Sequence, residues 1–388
     1  MKRRLLLLCL FTLCLTLQVF AQGNGNLQIH FMNVGQGDGA VLISPRGEVV
    51  LFDDGVRTLC DRPVSYLQQL GVERIDYHIT SHYHDDHIGC AREVLTEFPL
   101  VRLAIDRGFT YPSTNKKGGT FWKYRNIVGS KRTKATKGMT LTLDASSGNP
   151  VRIRIVALNG NGVKTTNEND LSLVAVVSYG KFDAVIGGDL SGIKSGNYED
   201  IETSVGPLVG QVEVYKVNHH GSQYSTNVNW INTIKPRIGI ISVGSNKDHG
   251  HPTKVSLKRL HDAGVKTYWT HTGTGASPKA GWDKIGGNII VEAAPNSSSF
   301  TVTYNGDDED TYDMWPSNDL QPPPPSAEEG MTTGASSAVA TEPKYAWSKR
   351  AKVYHYSSCI YVHNISPKNY ESGDNEPTDK RLHKGCPK

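Results

Sequence analysis

Ser81-His82-Tyr83-His84-Asp85-Asp86-His87 packs three imidazoles and two carboxylates into seven residues. Histidine nitrogen and carboxylate oxygen are the donors that suit zinc. His82 and His84 alternate along an extended stretch and can reach one ion together. Asp86 and His87 sit at the first turn of a following helix and face a second ion. A polar helix-capping run with Asp85 or Asp86 as the cap is the bland alternative, but a cap does not need three histidines. Further donors stand at the ends of later apolar runs. Asp189 follows in Gly187-Gly188-Asp189-Leu190-Ser191, where a carboxylate could bridge two ions roughly 3.5–4 Å apart. His219 and His220 follow in Asn218-His219-His220-Gly221-Ser222; one completes the second ion's shell and the other faces substrate. His251, in Gly250-His251-Pro252, is placed to contact a phosphate or to protonate a leaving group.

These residues need rigid elements behind them. Short β-branched or apolar runs at Leu27–Val34, Gly39–Ser44 and Glu48–Asp53, separated by Gly35, Gly37 and Gly47, read as strands. Arg62–Leu70 reads as a helix, Ile75–Thr80 as a strand, His87–Phe98 as a helix with Ile88, Ala91, Val94 and Leu95 on one face, and Val101–Asp106 as a strand. The pattern then repeats. Val151–Leu158, Leu171–Tyr179, Phe182–Gly188 and Val212–Val217 are strands. Helices Val228–Ile234 and Lys254–Ala263 are each followed by a strand, Ile238–Val243 and Lys266–Thr270. Ile289–Ala293 and Ser299–Tyr304 close the sheet. Strand runs with interposed helices in both halves predict an α/β fold of two packed sheets covered by helices. A single doubly wound sheet is the alternative.

The flanks differ in kind. Lys2-Arg3-Arg4, the apolar stretch Leu5–Leu17 and Val19-Phe20-Ala21 have the layout of an export signal over 1–21, with Gln22 as the mature start. The expected location is secreted or periplasmic, without stable membrane insertion after cleavage. The chain holds 42 Lys and Arg against 38 Asp and Glu; without the three leader cations the balance is nearly neutral and favours no partner. Four cysteines remain after the leader: Cys60, Cys90, Cys359 and Cys386. For Cys60 and Cys90, a disulfide and two separate buried thiols stay open. A basic stretch containing Lys131, Arg132 and Lys134, with Phe121, Trp122 and Tyr124 interleaved, could neutralise phosphates and stack on bases. The main domain, which carries the metal-ligand candidates, is expected over 22–306, then an acidic and proline-rich linker over 307–344. The last segment, 345–388, is too small to bury a real core. It carries His355, Cys359, His383 and Cys386, either a Cys2His2 zinc set or a Cys359–Cys386 disulfide.

Leu51-Phe52-Asp53-Asp54-Gly55, the His82–His87 run, Asp189 and His219-His220 resemble the successive motifs of the metallo-β-lactamase superfamily. Asn33-Val34-Gly35-Gln36-Gly37-Asp38, Lys216-Val217-Asn218-His219-His220-Gly221-Ser222 and Gly250-His251-Pro252 resemble the hydrolase domain of ComEC-type DNA-uptake proteins, over about Leu27 to Tyr304. The last segment partly resembles small metal-binding modules of the Ada type, which use more cysteines. The main resemblance implies an αββα four-layer sandwich and two Zn2+ ions, Mn2+ being the alternative. His82 and His84 would hold one ion. Asp86, His87 and His220 (or His219) would hold the other, with Asp189 and a hydroxide bridging them. Asp54 would orient a ligand histidine. No histidine lies between Ile88 and Asn218, where many superfamily members place another ligand; this favours the DNA-uptake branch. Asn33 stands where that branch is expected to carry aspartate. A two-metal hydroxide suits a phosphodiester such as DNA. Hydrolysis of a carbonyl ester, lactone or β-lactam is the alternative, and a non-catalytic polyanion-binding module is the alternative of another class.

Overall fold

A computed structural model describes residues 23–108 and 117–316, together with four short backbone strands near the C-terminus. The expected signal (1–21), Cys359, His383 and Cys386 lie outside the described residues. The chain divides into two compact units, 1–318 and 319–388.

In the first unit the chain opens with β1 (Leu27–Phe31), β2 (Gly39–Ile43) and β3 (Val49–Asp54) as an antiparallel meander. After α1 (Asp61–Gln69), β4 (Ile75–Ile79) pairs parallel to β3. Next come α2 (Asp85–Ile88), α3 (Ala91–Glu97) and β5 (Leu100–Asp106). α4 (Thr120–Val128) and β6 (Arg132–Lys134) follow. The second sheet contains β7 (Thr140–Leu143), β8 (Val151–Ala157), β9 (Val174–Tyr179), β10 (Phe182–Ile186) and β11 (Val214–Lys216). It ends with β12 (Ile238–Ile241), β13 (Lys266–Trp269) and β14 (Asp283–Ile285). Helices α5 (Glu202–Val209), α6 (Val228–Ile234) and α7 (Lys254–Asp262) connect its parallel strands. β15 (Ile289–Ala293), β16 (Ser299–Tyr304) and β17 (Asp308–Asp313) return to the first sheet, where β15 pairs with β1. The strand orders are β17-β16-β15-β1-β2-β3-β4-β5-β6 and β14-β13-β12-β11-β10-β9-β8-β7.

Strand alternation explains the layers. In β2, Ala40 and Leu42 face the core between the sheets, while Val41 and Ile43 face an outer core with Leu67, Val94 and Phe98. In β10 and β11, Ala184 and Val214 face inward; Val185 and Tyr215 face α5, α6 and α7 through Trp230 and Leu260. Such strands are apolar on both faces because both faces are covered. Three buried clusters separate four layers, so the expected αββα sandwich is the fold observed.

Two expectations are corrected. The single helix over His87–Phe98 is two helices broken at Gly89-Cys90. There the backbone donates outward: Gly89 N–H to Gly55 O (3.0 Å) and Cys90 N–H to Asp54 Oδ1 (2.7 Å). A Cβ on Gly89 would meet Arg57 N at 2.3 Å, so the turn needs glycine there. The domain also runs past Gly306. Asp307–Asp310 is not the start of a linker, because Asp310 on β17 pairs with Lys284 and accepts from Tyr268, and Met314 is buried. A Cys60–Cys90 disulfide settles the open alternative for those two residues and ties the start of α1 to the start of α3.

The second unit has a four-stranded sheet ordered β20-β18-β19-β21. Its strands are β18 (Tyr345–Ser348), β19 (Val353–Tyr356), β20 (Tyr370–Gly373) and β21 (Arg381–Leu382). His355 lies on β19. Among the described residues no helix is long and apolar enough to cross a membrane.

Candidate metal centre

In a parallel strand set, the loops after the strands gather on one edge of the sheet. β3 and β4 run parallel, as do β10 and β11. The loop after β4 carries His82, His84, Asp86 and His87; the turn after β10 carries Asp189; the turn after β11 carries His219 and His220. The two sheets present these loops to one another. Gly188 makes the approach close enough: a Cβ there would stand 2.5 Å from the Ser81 Cβ, and its φ of +55° is one that glycine adopts without strain.

All seven residues expected to bind metal converge. His82 Nε2 lies 2.9 Å from His84 Nδ1 and 4.0 Å from Asp189 Oδ2. His87 Nε2 lies 3.2 Å and His220 Nε2 3.5 Å from Asp189 Oδ1. His220 Nε2 is also 3.3 Å from Asp86 Oδ2. His219 Nε2 stands 3.7 Å from Asp189 Oδ2, on the cleft side. Donor atoms of His82, His87 and Asp189, and of Asp86, His87 and His220, form compact triplets within 4.8 Å. His220 is thus the member of the pair that meets Asp86, and its Nδ1 is fixed by Ser242 O at 2.9 Å.

The donors are shaped for a cation. His87 Nε2, Asp189 Oδ1, His220 Nε2, His219 Nδ1 and Asp38 Oδ1 are buried without a hydrogen-bond partner. Leaving one such atom unsatisfied costs about 1–3 kcal/mol, and a divalent ion would satisfy several at once. The same crowding perturbs the charges. Burial acts to depress the His87 imidazole, but Asp189, Asp53, Asp38 and Asp86 outweigh it and hold its pKa well above the ordinary range. His220 is raised likewise, chiefly by Asp189 and Asp38 against burial. His82 is held well below its usual value by burial and by His87 and His84.

The turn that delivers His219 and His220 is unusual. Both residues adopt left-handed backbone, with φ of 51° and 52°. Such conformations cost about 1–3 kcal/mol each and persist where the surroundings dictate them. Here the buried Glu202 carboxylate accepts from Asn218 Nδ2 (2.8 Å), Thr226 N–H and Asn227 N–H (both 2.7 Å). His219 N–H donates to Gly188 O (3.1 Å), joining the two ligand turns. Burial pushes Glu202 up to about 7.

The expected orienting role of Asp54 is corrected. Asp53 takes it: Oδ2 lies 2.8 Å from His87 Nδ1, and its two oxygens accept from the Ser81 hydroxyl (2.7 Å) and N–H (2.8 Å). Side chains alternate along β3, so Asp54 points the other way, to His78 Nε2 at 3.1 Å and to Cys90 N–H. Asp53→Ala is expected to weaken divalent-metal binding about 10–100-fold, read by competition with a chromophoric chelator, while Asp54→Asn acts on stability alone. Equal losses of affinity in the two variants would remove this assignment.

Two further residues carried no sequence assignment. Asp38 lies 3.3 Å from His220 Nδ1 and 3.7 Å from His87 Nδ1, and forms a buried ion pair with Lys216. The available signal was Lys216 itself, a charge inside the apolar run Val214-Tyr215-Lys216-Val217. His251 lines the cleft as expected, its ring 5.5 Å from that of His219; burial and the His220 and His219 charges push its pKa down to about 3.

The basic insert is corrected. Lys131 donates to Leu100 O. Arg132 is paired with buried Asp106 and lies over Phe121. Lys134 packs against Gly108. Phe121 and Tyr124 are buried on the inner face of α4, so these two of the three interleaved aromatics cover a core instead of offering faces to bases, while Trp122 is half-buried. Among the described residues, Arg57 is the one Lys or Arg in the wall of the cleft, whose volume is about 1210 Å³.

ComE operon protein 3 of Bacillus subtilis (strain 168) is 25% identical over 263 residues, covering 63% of this chain and 32% of that protein. Recombination protein 2 of Haemophilus influenzae is 27% identical over 255 residues, covering 64% and 28%. The chain therefore spans about a third or less of the length of these curated relatives. The resemblance to the ComEC type drawn from the motifs holds in both matches. Among solved structures, CmlA, a diiron beta-hydroxylase from Streptomyces venezuelae, aligns with TM-score 0.41 at 13% identity over 62% of this chain and 52% of its own. The metallo-beta-lactamase SMB-1 aligns with TM-score 0.34 at 12% identity, over 49% and 79%. The family model described as the metallo-beta-lactamase superfamily matches residues 39–245, just over half of the chain and all seven candidate ligands. The chain belongs to the metallo-beta-lactamase superfamily and is a metal-dependent hydrolase.

Proposed function

We propose that this chain is an exported, zinc-dependent phosphodiesterase acting on DNA or a related phosphodiester. The observation that carries the reading is the set of orphaned His and Asp atoms at the floor of an open cleft. At about 1210 Å³ the cleft exceeds the roughly 300–1,000 Å³ of small-molecule pockets, which suits part of a polymer. The names of the two curated relatives, a ComE operon protein and a recombination protein, support a nucleic-acid substrate.

His82, His84 and Asp189 would hold one ion; Asp86, His87 and His220, with Asp189 shared, would hold the other. Nitrogen and carboxylate donors favour zinc, with manganese the alternative. When bound, two divalent ions supply Lewis acidity at phosphoryl oxygens and a water acidic enough to attack phosphorus. The chain's own residues do the rest. Asp53 and Ser81 fix the His87 ring, Ser242 O fixes that of His220, and His219 and His251 face the cleft, where they would contact the phosphate or the leaving oxygen. Export is supported by the N-terminal signal pattern and by the Cys60–Cys90 disulfide, which an oxidising compartment maintains.

The test is a substrate panel on the zinc-loaded full chain: double- and single-stranded DNA, bis(p-nitrophenyl) phosphate, a lactone and a β-lactam. Phosphodiester cleavage that a chelator abolishes and zinc restores is the expected outcome. Turnover confined to the carbonyl substrates would overturn the reading.

A further inference from the structure

Beside the metal centre, the wall of the cleft carries two stacked phenol rings. The Tyr198 and Tyr224 centroids are 4.3 Å apart with planes 13° from parallel. The Tyr198 ring lies 5.9 Å from that of His219. Both tyrosines are half-exposed and line the cleft. The other phenylalanine and tyrosine rings lining the cleft among the described residues, Tyr83 and Phe121, are buried; this pair is not.

Local backbone structure holds both rings in place. Tyr198 closes a tight turn in which Ser195 and Tyr198 exchange backbone hydrogen bonds of 3.1 and 3.0 Å. Tyr224 O accepts from Gly192 N–H (2.8 Å) and Ile193 N–H (3.1 Å), tying the two segments together. Arg259 donates to the carbonyls on either side of Tyr224, Gln223 O (3.0 Å) and Ser225 O (2.8 Å). Two rings already stacked and anchored lose little freedom when a third plane joins them.

Resting on the phosphodiesterase reading, we infer that Tyr198 and Tyr224 form a stacking platform for an unpaired nucleobase next to the scissile phosphate, which makes single-stranded nucleic acid the preferred substrate. A phosphate at the metal centre sits one nucleotide from its own base, and the platform adjoins the ligand turn at His219. A paired base hides its faces inside the duplex; an unpaired one offers them. Among the described residues Arg57 is the one guanidinium lining the cleft, and the platform adds a base-directed attraction to it.

The test is direct binding by the zinc-loaded full chain. Fluorescence anisotropy compares a labelled oligothymidylate with an abasic strand of equal length, both with phosphorothioate linkages to slow cleavage. Stacking on one base predicts about tenfold tighter binding of the base-bearing strand. Tyr198→Ala and Tyr224→Ala should each remove most of that preference, whereas Tyr198→Phe keeps it. Equal binding of the two strands by the unaltered protein, or an undiminished preference in both alanine variants, overturns the platform. Base-preferring binding without cleavage of the ordinary phosphodiester strand supports the platform and counts against the phosphodiesterase reading. Cleavage without base preference does the reverse.

Discussion

Asp189→Asn is expected to lower kcat/KM on a phosphodiester by roughly 10³-fold or more while the chain stays folded. One carboxylate here meets His87 and His220 through Oδ1 and His82 and His219 through Oδ2, at 3.2 to 4.0 Å. Asparagine keeps the volume and one oxygen but loses the charge shared between the two proposed ions. If that charge is worth several kcal/mol in the transition state, each 1.36 kcal/mol lost is tenfold in rate. Asparagine is nearly isosteric with aspartate, so the variant is expected to fold and to melt cooperatively. Steady-state kinetics, metal content and thermal melts separate the outcomes. Full metal occupancy with retained activity would defeat the assignment of Asp189 as a bridging ligand.

Arg107→Ala is expected to destabilise the fold by about 3–5 kcal/mol, the usual cost of leaving one member of a buried pair without its partner. Arg107 is 1% exposed. Its Nε and terminal nitrogen donate to the two Glu168 oxygens at 2.8 and 2.6 Å, and its guanidinium lies 4.3 Å from the centre of the Tyr83 ring. Glu168 Oε1 also accepts the Tyr83 N–H at 3.0 Å, so the pair grips the ligand loop between His82 and His84. Replacing both members, as Arg107→Met with Glu168→Leu, removes the isolated charge and should recover part of the loss. Urea denaturation of the two singles and the double closes the cycle. A double variant as unstable as the sum of the singles would show that the pair does not act as a unit.

Much of the centre was legible because metal ligands are polar residues at the ends of apolar strands. Asp189 and His219-His220 each follow a run that could only be a buried strand, and the parallel pairing of β10 and β11 carries them to one edge. The αββα layering was legible for the same reason, in strands apolar on both faces. The choice between Asp53 and Asp54 was not. It turns on which face of β3 each occupies at the strand's last residues, where Asp53 has a φ of 50°. The ion pair of Asp38 and Lys216 joins residues 178 positions apart, a contact that spacing cannot disclose. The basic insert misled because composition says nothing of direction: Arg132 turns inward to Asp106. β17 was missed because its acidic residues read as solvated, while Lys284 and Tyr268 wait opposite Asp310.

The Cys60–Cys90 bridge spans a separation of 30 residues, and every ligand from His82 to His87 lies inside that span. Even when the sandwich has come apart, these imidazoles and carboxylates stay confined to one covalent ring. An open chain would let them disperse; the ring keeps their local concentration high, and closing a loop of this size removes about 3–4 kcal/mol of conformational freedom from the denatured ensemble. The oxidised unfolded chain therefore keeps four of its seven candidate ligands, His82, His84, Asp86 and His87, as near neighbours, and a divalent ion would meet a partly gathered partner before any strand has formed.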